Sequence, residues 1–324
     1  MKTEDKERLC SLIRDHEDSI GSSRVTMLAI NAFIESIKQV KCEIGDAQEL
    51  YAELADAIRG TEPKVIPLIH LIEEFEKELR DSYNHSEEET IESFKEKAIR
   101  ILQAKHDKIK IKTGKTIEYG LTCISEGDVI IVHTLSSDIT NMLKLSREVL
   151  QKNFKVIVLK QDLAKTRRLV KSLSAADIDM EIIPEYSLNN YVDQGNKTFM
   201  GALSITGDMK AVTAVGSANV VGLCHLNKLP VYLFANTLKF AHQPSSQQKI
   251  HRKVQSKTHE DISYQLITHS HDTVDLRHVD FLVTENGVKD KEAILECIKA
   301  ARNRMNTAEN ERRQKEEKSL DTKA

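Results

Sequence analysis

The chain has 324 residues, 40% of them apolar and 30% charged, a balance typical of a globular protein with one large domain or two domains. The net charge of −3, the absence of tryptophan and the 5% aromatic content argue against a surface built to bind nucleic acid. The five cysteines are scattered, no apolar run is long enough to span a membrane, and the N-terminus has no apolar leader, so we expect a cytoplasmic protein with reduced thiols and no membrane contact.

Residues 1 to 108 are predicted to be almost entirely helical. Apolar residues recur at helical spacing in ERLCSLIRDHE, VTMLAINAFIESIKQV, AQELYAELADAIRG, VIPLIHLIEEFEKELRDSY and SEEETIESFKEKAIRILQAKHDKIK. Gly21-Ser22-Ser23 interrupts the pattern, and Ser22 or Ser23 is a candidate cap for the helix that follows. This region is therefore predicted to be a helical bundle with short loops.

Between residues 109 and 300, short β-branched runs alternate with amphipathic stretches. The runs predicted to be strands are DVIIVH (128–133), FKVIVLK (154–160), MEIIPE (180–185), AVTAV (211–215), PVYLFA (230–235) and DFLVTENG (280–287). NMLKLSREVLQKN, AKTRRLVKSLSAAD and GLCHLNK lie between them. This order predicts an α/β fold, in which the helical bundle is followed by a Rossmann-like domain with a mainly parallel sheet.

Residues 301–324 are nearly all polar. We expect a charged, disordered tail there, and a tail that binds a partner is the alternative.

Polar residues follow the first predicted strand, where ligands bind in doubly wound sheets. His133, Thr134, Ser136 and Ser137 lie at this strand end, and their hydroxyl groups and backbone N–H groups could hold a phosphate. A capped turn between strand and helix explains the same residues equally well. Gly216-Ser217 is a second candidate, either an anion-binding helix N-terminus or a simple turn.

The sequence indicates no metal site, cofactor site or nucleophile. The segment 201–223 contains neither GxGxxG nor a P-loop. His269 and His271 are a lone histidine pair without supporting ligands, so we expect no metal. No Ser-His-Asp or Cys-His arrangement can be assigned, and the nearby Glu126 and Asp128 disfavour a thiolate at Cys123.

Five segments occur in an order that is found in a known family: DHEDSIGSSRVTMLAINAFIESI, TEPKVIPLIHLI, IIVHTLSSDI, GALSITGDMKAVTAVGSANVVGLCHLNKLPVYLFANTLKF and HDTVDLRHVDFLVTENGV. From about residue 10 to about residue 300, the chain resembles the family that unites the alpha, beta and delta regulatory subunits of eukaryotic translation initiation factor 2B with the methylthioribose-1-phosphate and ribose-1,5-bisphosphate isomerases. The fourth segment resembles the family's most diagnostic stretch.

The departures from this family fall where the isomerases carry their catalytic groups. The resemblance implies a cysteine directly after the strand-end histidine and an aspartate directly after Gly-Ala, but this chain has Thr134 and Leu203. Isomerisation by proton transfer needs a positioned acid and base, and leucine is neither. The family's phosphate-holding Asn-Lys pair aligns with Thr213 and Ala214. The chain retains Gly201-Ala202, Gly207-Asp208, Gly216-Ser217 and Lys239-Phe240.

We therefore expect a pseudo-isomerase, a non-catalytic regulatory subunit or scaffold similar to those of initiation factor 2B, which binds protein partners and a nucleotide or sugar-phosphate effector. The expected ligand-binding residues are His133, Thr134, Ser136, Ser137, Asp208, Gly216, Ser217 and Lys239.

Two alternatives stay open. One is a ribose-1,5-bisphosphate-type isomerase with relocated catalytic groups, for which Asp208, Asp138 and Cys123 are candidates. The other is a sugar-phosphate or nucleotide sensor without a role in translation. The resemblance further implies a homodimer through the C-terminal domain or a hetero-oligomer with related subunits, with initiation factor 2 as a partner.

Overall fold

The computed structural model describes residues 3–39, 41, 43–61, 64–83, 90–133, 136–160, 163–247, 250, 252–259, 262–301 and 303. Thr134, one of the expected site residues, lies outside this part of the chain, as does the expected tail apart from residues 301 and 303.

Five helices form the N-terminal part, which confirms the helical prediction: α1 (Thr3–Ile20), α2 (Ser22–Gln39), α3 (Ile44–Arg59), α4 (Ile66–Tyr83) and α5 (Ile91–Leu121). In α2, the buried Val25, Ile30, Phe33 and Ile37 recur at three- to five-residue spacing, so one face of the helix enters the core. Neither Ser22 nor Ser23 takes the expected capping position, because α2 begins at Ser22.

Helix α5 joins the helical part to the α/β part. Phe94, Ala98 and Leu102 are buried in the core of the bundle, whereas a Cβ atom added to Gly120 near the other end would lie 2.3 Å from Met142 Sδ. The absence of a side chain at Gly120 allows this close approach. Residue 108, where the helical region was expected to end, therefore lies within α5, and the division into domains stays a prediction.

The α/β part contains the remaining elements, and its central sheet is mainly parallel, as predicted. They are β1 (Val129–Val132), α6 (Ser137–Glu148), β2 (Lys155–Lys160), α7 (Leu163–Ala175), β3 (Asp179–Pro184), β4 (Lys197–Gly201), β5 (Ser204–Ile205), β6 (Lys210–Ala214), α8 (Ser217–Leu226), β7 (Val231–Phe234), β8 (Arg252–His259), β9 (Ile262–His269), β10 (His271–Asp275), β11 (Phe281–Thr284), β12 (Gly287–Lys289) and α9 (residues 291–301).

Seven strands form the central sheet in the order β12-β11-β7-β4-β1-β2-β3, and only β12 is antiparallel to its neighbour. In β1, Ile131 packs into the core on one side of the sheet, and Ile130 and Val132 pack into the core on the other. Strands covered on both faces carry continuous apolar runs, which is why VIIV and VIVL were recognisable in the sequence.

One strand assignment was wrong. The run AVTAV was expected in the parallel sheet, but β6 lies in a separate three-stranded antiparallel sheet, in the order β10-β6-β5. The four residues between β5 and β6 are too few for a parallel crossover and enforce a hairpin. Strand β4, which was not predicted, occupies the middle of the central sheet instead.

None of the helices in the described part of the chain is both long and apolar enough to cross a membrane.

Candidate functional site

His133 directly follows β1, at the carboxyl end of the central sheet, and its side chain is fully buried. Its Nε2 atom lies 2.9 Å from Glu185 Oε2, and its Nδ1 atom lies 3.1 Å from Ser217 Oγ. Because a carboxylate only accepts hydrogen bonds, Nε2 carries the proton in the neutral ring, and Nδ1 accepts from the serine hydroxyl. Both ring nitrogens are therefore engaged by protein side chains.

Ser217 is the first residue of α8 and is also fully buried. Its Oγ atom lies 3.3 Å from Thr213 Oγ1, and Thr213 in turn donates to the carbonyl oxygen of Gly201 at 2.8 Å. His133 after β1, Ser217 in α8, Thr213 in β6 and the backbone carbonyl of Gly201 in β4 thus form one polar network, the His133 network. Each hydroxyl group has one proton, which Ser217 donates to His133 and Thr213 donates to Gly201, so the two hydroxyl oxygens are in contact without a hydrogen bond between them. Gly216 precedes the helix in the left-handed conformation, with φ of +91°.

The N-terminus of α8 is occupied by a carboxylate of the chain itself. Gly216 N and Ala218 N donate to Asp272 Oδ2 at 2.9 Å and 3.2 Å. A negative charge here is stabilised by the unpaired N–H groups and the dipole of the helix. A phosphate at Gly216-Ser217 would therefore compete with Asp272, a residue of β10.

The N-terminus of α6 forms the other side of the site. Ser136 caps α6 by accepting from Ile139 N at 3.4 Å, which is the structural role that the sequence left open. Ser137 Oγ donates to Asp138 Oδ1 at 3.1 Å, and Ser23 Oγ of α2 donates to Asp138 Oδ2 at 3.2 Å. The helical part therefore contributes directly to the site.

Lys239 is buried, and it places a positive charge beside this cluster. Its Nζ atom donates to the carbonyl oxygen of Ala202 at 2.8 Å and lies 3.9 Å from Asp138 Oδ2. The expected residues His133, Ser136, Ser137 and Lys239 thus follow the parallel strands β1 and β7, whereas Gly216 and Ser217 follow β6 of the antiparallel sheet.

Asp208 lies in the turn between β5 and β6 and has other partners. Its carboxylate accepts from Ser245 N at 2.7 Å, from Ser245 Oγ at 2.6 Å and from Thr206 Oγ1 at 2.6 Å. Burial opposes ionisation, but these hydrogen bonds outweigh it and lower the pKa of Asp208 to about 2. Its contacts stabilise this turn and do not join the network of His133.

Two further residues bear on catalysis. Leu203 is 5% exposed, and its backbone N–H donates to Val212 O at 2.8 Å. Cys123 precedes the amino end of β1, whereas His133 follows the carboxyl end, and burial raises the pKa of the Cys123 thiol. Cys123 is therefore separated from His133 by the length of the strand.

The sequence predicted neither Glu185 nor Asp272 as a site residue. Glu185 directly follows β3, so its position after a predicted strand was a usable signal. Asp272 lies inside β10 and gave no signal of its own. His269 and His271 lie on different strands, and the residues with described positions contain no group of three or more His, Cys, Asp and Glu side chains that could hold a metal ion.

Comparisons with known proteins place this geometry in context. A family model described as the Initiation factor 2 subunit family matches residues 3–291. A translation initiation factor eIF-2B subunit 2-like protein of Pyrococcus horikoshii is 30% identical over 122 residues, which are 37% of this chain and 44% of that protein. The similarly named Pyrococcus furiosus protein is 30% identical over 139 residues, 43% of this chain and 46% of that protein. Ribose 1,5-bisphosphate isomerase of P. furiosus is 23% identical over 192 residues, 56% of this chain and 59% of that enzyme. The chain thus matches less than half the length of these eIF-2B-like relatives.

Solved structures share the fold. The crystal structure of the P. horikoshii translation initiation factor eIF-2B superposes with a TM-score of 0.71 at 20% identity, covering 87% of this chain and 96% of that one. The tetrameric eIF2B-beta2-delta2 complex from C. thermophilum gives a TM-score of 0.65 at 14% identity, covering 91% and 94%. At 20% and 14% identity, the likeness to these two structures shows a shared fold.

Proposed function

The chain belongs to the Initiation factor 2 subunit family, and from this premise we propose that it is a non-catalytic regulatory subunit or scaffold of the initiation factor 2B type. The match confirms the family resemblance that the sequence motifs carry. Relatives of this chain are named as eIF-2B-like subunits and as an isomerase, so the choice between the two roles rests on the site.

The observation that carries the proposal is the buried leucine at position 203. By the resemblance, the isomerases have an aspartate there, and aldose-ketose isomerisation moves protons between neighbouring atoms with a positioned acid and base. A buried leucine cannot exchange a proton. Both ring nitrogens of His133 are hydrogen-bonded, to Glu185 and to Ser217.

We further propose that a nucleotide or sugar-phosphate effector binds at a mouth formed by Ser136 and Ser137, with His133, Gly216, Ser217 and Lys239 behind it. Thr134 is included in the proposal from its place in the sequence alone. The N-terminus of α6 and the ammonium of Lys239 attract a phosphate, whereas Asp138 and Asp272 oppose it. We leave Asp208 out of this proposal because its carboxylate is held by Thr206 and Ser245.

Thermal unfolding tests this effector site. AMP, GMP, GTP and ribose 1,5-bisphosphate are each added to the purified chain, because a ligand that binds only the folded state raises Tm by mass action. We expect a rise for one of them that is lost in Ser137→Asp, which adds a negative charge at the mouth. Ser174→Asp adds the same charge at an exposed position of α7 and should keep the rise. Absence of a rise with all four compounds would contradict an effector of this class.

The second candidate function is an isomerase with relocated groups, and Asp138 is the observation that favours it. This carboxylate is buried at the site mouth beside Lys239. Cys123 does not support this alternative, because it lies at the opposite end of β1. Conversion of ribose 1,5-bisphosphate by the purified chain, lost in Asp138→Asn, would establish the alternative and overturn the non-catalytic proposal.

For partners, we propose a homodimer or a hetero-oligomer with related subunits that binds initiation factor 2 in the cytoplasm. The fold-level neighbour from C. thermophilum is a tetramer of two related subunits, which supports assembly of this kind. Sedimentation of the purified chain with and without initiation factor 2 tests the contact. A faster-sedimenting complex is expected, and independent sedimentation of the two proteins would contradict it.

A further inference from the structure

Strands β8 and β9 form a two-stranded antiparallel sheet that pairs with no other strand in the described part of the chain. All eight residues of β9 are exposed, and the exposed fractions of Ile262, Tyr264 and Leu266 are 68%, 50% and 42%. An isolated pair of strands is marginally stable in water, and three or more strands are needed for independent stability. In this two-stranded sheet, the outer edge of β9 pairs with no described strand, and the apolar side chains of β9 are exposed to water.

The two strands differ in charge. β8 has the sequence RKVQSKTH, with three basic residues, whereas β9 has the sequence ISYQLITH, without Lys, Arg, Asp, Glu or Pro. Folded proteins protect free sheet edges with charged residues, prolines, bulges or short strands. β8 carries this protection and β9 does not.

The other free edges among the described strands are short or charged. In the three-stranded sheet, the edge strand β5 has two residues and the edge strand β10 contains Asp272 and Asp275. β3, at one edge of the central sheet, contains Asp179, Glu181 and Pro184. β12, at the other edge, has three residues and ends at Lys289. Among the strands described, β9 is thus a long and uncharged edge in a chain that otherwise blocks edge pairing.

We propose that β9 pairs antiparallel with β9 of a second copy of this chain across a two-fold axis, which gives a four-stranded sheet in the order β8-β9-β9-β8. This inference deepens the assembly in the proposed function by naming the contact. Ile262, Tyr264 and Leu266 lie on one face of β9, because residues two apart share a face, and their counterparts continue that apolar face across the axis. Arg252 and Lys257 stay at the outer edges, whereas pairing through β8 would bring like charges together.

Two matched double variants test this contact. Ser263→Lys with Gln265→Lys adds two charges to β9. Ser256→Lys with Thr258→Lys adds the same charges to β8, at the positions paired with Gln265 and Ser263. All four side chains are exposed, so both variants should fold, and far-UV circular dichroism checks this.

Sedimentation velocity over a dilution series gives the dissociation constant of the dimer. We expect the β9 variant to raise it at least about tenfold and the β8 variant to leave it close to that of the wild type. The inference is overturned if the wild type is a monomer at all concentrations, if both variants weaken the dimer equally or if neither does. Hydrogen exchange gives a second readout, since the β9 amides should gain protection as the protein concentration rises.

This test separates the contact from the proposed function. A dimer that both variants leave intact would place the interface elsewhere, while the effector and turnover results for the same proteins would stand unchanged. Conversely, isomerase turnover would overturn the non-catalytic role without affecting the pairing of β9.

Discussion

Replacing Gly216 by alanine tests how closely the turn before α8 fits the His133 network. Gly216 has φ of +91°, a conformation that side chains disfavour. An added Cβ atom would lie 2.2 Å from Glu185 Oε1 and 2.6 Å from Glu185 Cδ. Alanine therefore requires a strained backbone and also displaces the carboxylate that accepts from His133 Nε2.

The expected loss of stability has two parts. The left-handed conformation costs alanine about 1–2 kcal/mol. Loss of a hydrogen bond to a charged group costs a further 1.5–3 kcal/mol or so. The free energy of unfolding should therefore fall by about 2.5–5 kcal/mol, a large fraction of the stability of a typical protein.

Urea denaturation measures this loss, and Gly127→Ala is the matched control. Gly127 also has a positive φ, +78°, but no atom lies within 4 Å of its added Cβ, so only the backbone cost of about 1–2 kcal/mol applies. In a Glu185→Ala background, the cost of Gly216→Ala should fall to the same value. Equal losses for Gly216→Ala and Gly127→Ala in the wild-type background would refute the proposed contact between Gly216 and Glu185.

Three further predictions concern single carboxylates and the buried leucine. Asp272→Ala removes the acceptor of two N–H groups at the N-terminus of α8, so the free energy of unfolding should fall by about 1–2 kcal/mol. Added phosphate should then raise the Tm of this variant more than that of the wild type. An equal rise in both proteins would argue against an anion site at this helix end. For Asp208→Asn, the lowered pKa means that the ionised form stabilises the fold above the unfolded pKa near 4, and this contribution is lost as the pH falls through about 2. Wild type and variant should differ by about 2 kcal/mol in stability at neutral pH and converge near pH 2, whereas a difference independent of pH would contradict the role of the charge. Leu203→Asp should lower the free energy of unfolding by several kcal/mol, because it buries a carboxylate where a 5% exposed leucine lies, and unchanged denaturation would show that position 203 is open to water.

Local patterns predicted much of the fold. The helices of the N-terminal part carry apolar residues at helical spacing, and the strands β1 and β2 are continuous apolar runs. Such patterns predict a helix or a strand from the segment alone, without knowledge of the segments that pack against it. Strand β4 was missed because its sequence, KTFMG, offers only Thr198, Phe199 and Met200 as buried residues between polar and glycine neighbours. β6 was placed in the wrong sheet because the identity of its partners, β5 and β10, is decided by long-range packing.

The candidate site was predicted only in part, for the same reason. Its helix N-termini and strand ends are local features, and His133, Ser136 and Ser217 were found from them. The side chains that occupy these groups come from far along the chain, since Glu185 is 52 residues from His133 and Asp272 is 56 residues from Gly216. A pattern in one segment contains no information about which distant carboxylate will contact it.

The central claim is that this member of the family does not catalyse isomerisation, and a turnover assay tests it most directly. Ribose 1,5-bisphosphate is incubated with a high concentration of the purified chain, and the ketose product is measured, with the P. furiosus ribose 1,5-bisphosphate isomerase as a positive control. We predict no conversion above the rate without protein. Saturable conversion that disappears in Asp138→Asn, while Asp208→Asn retains it, would contradict the claim and place the chemistry at the mouth beside Lys239.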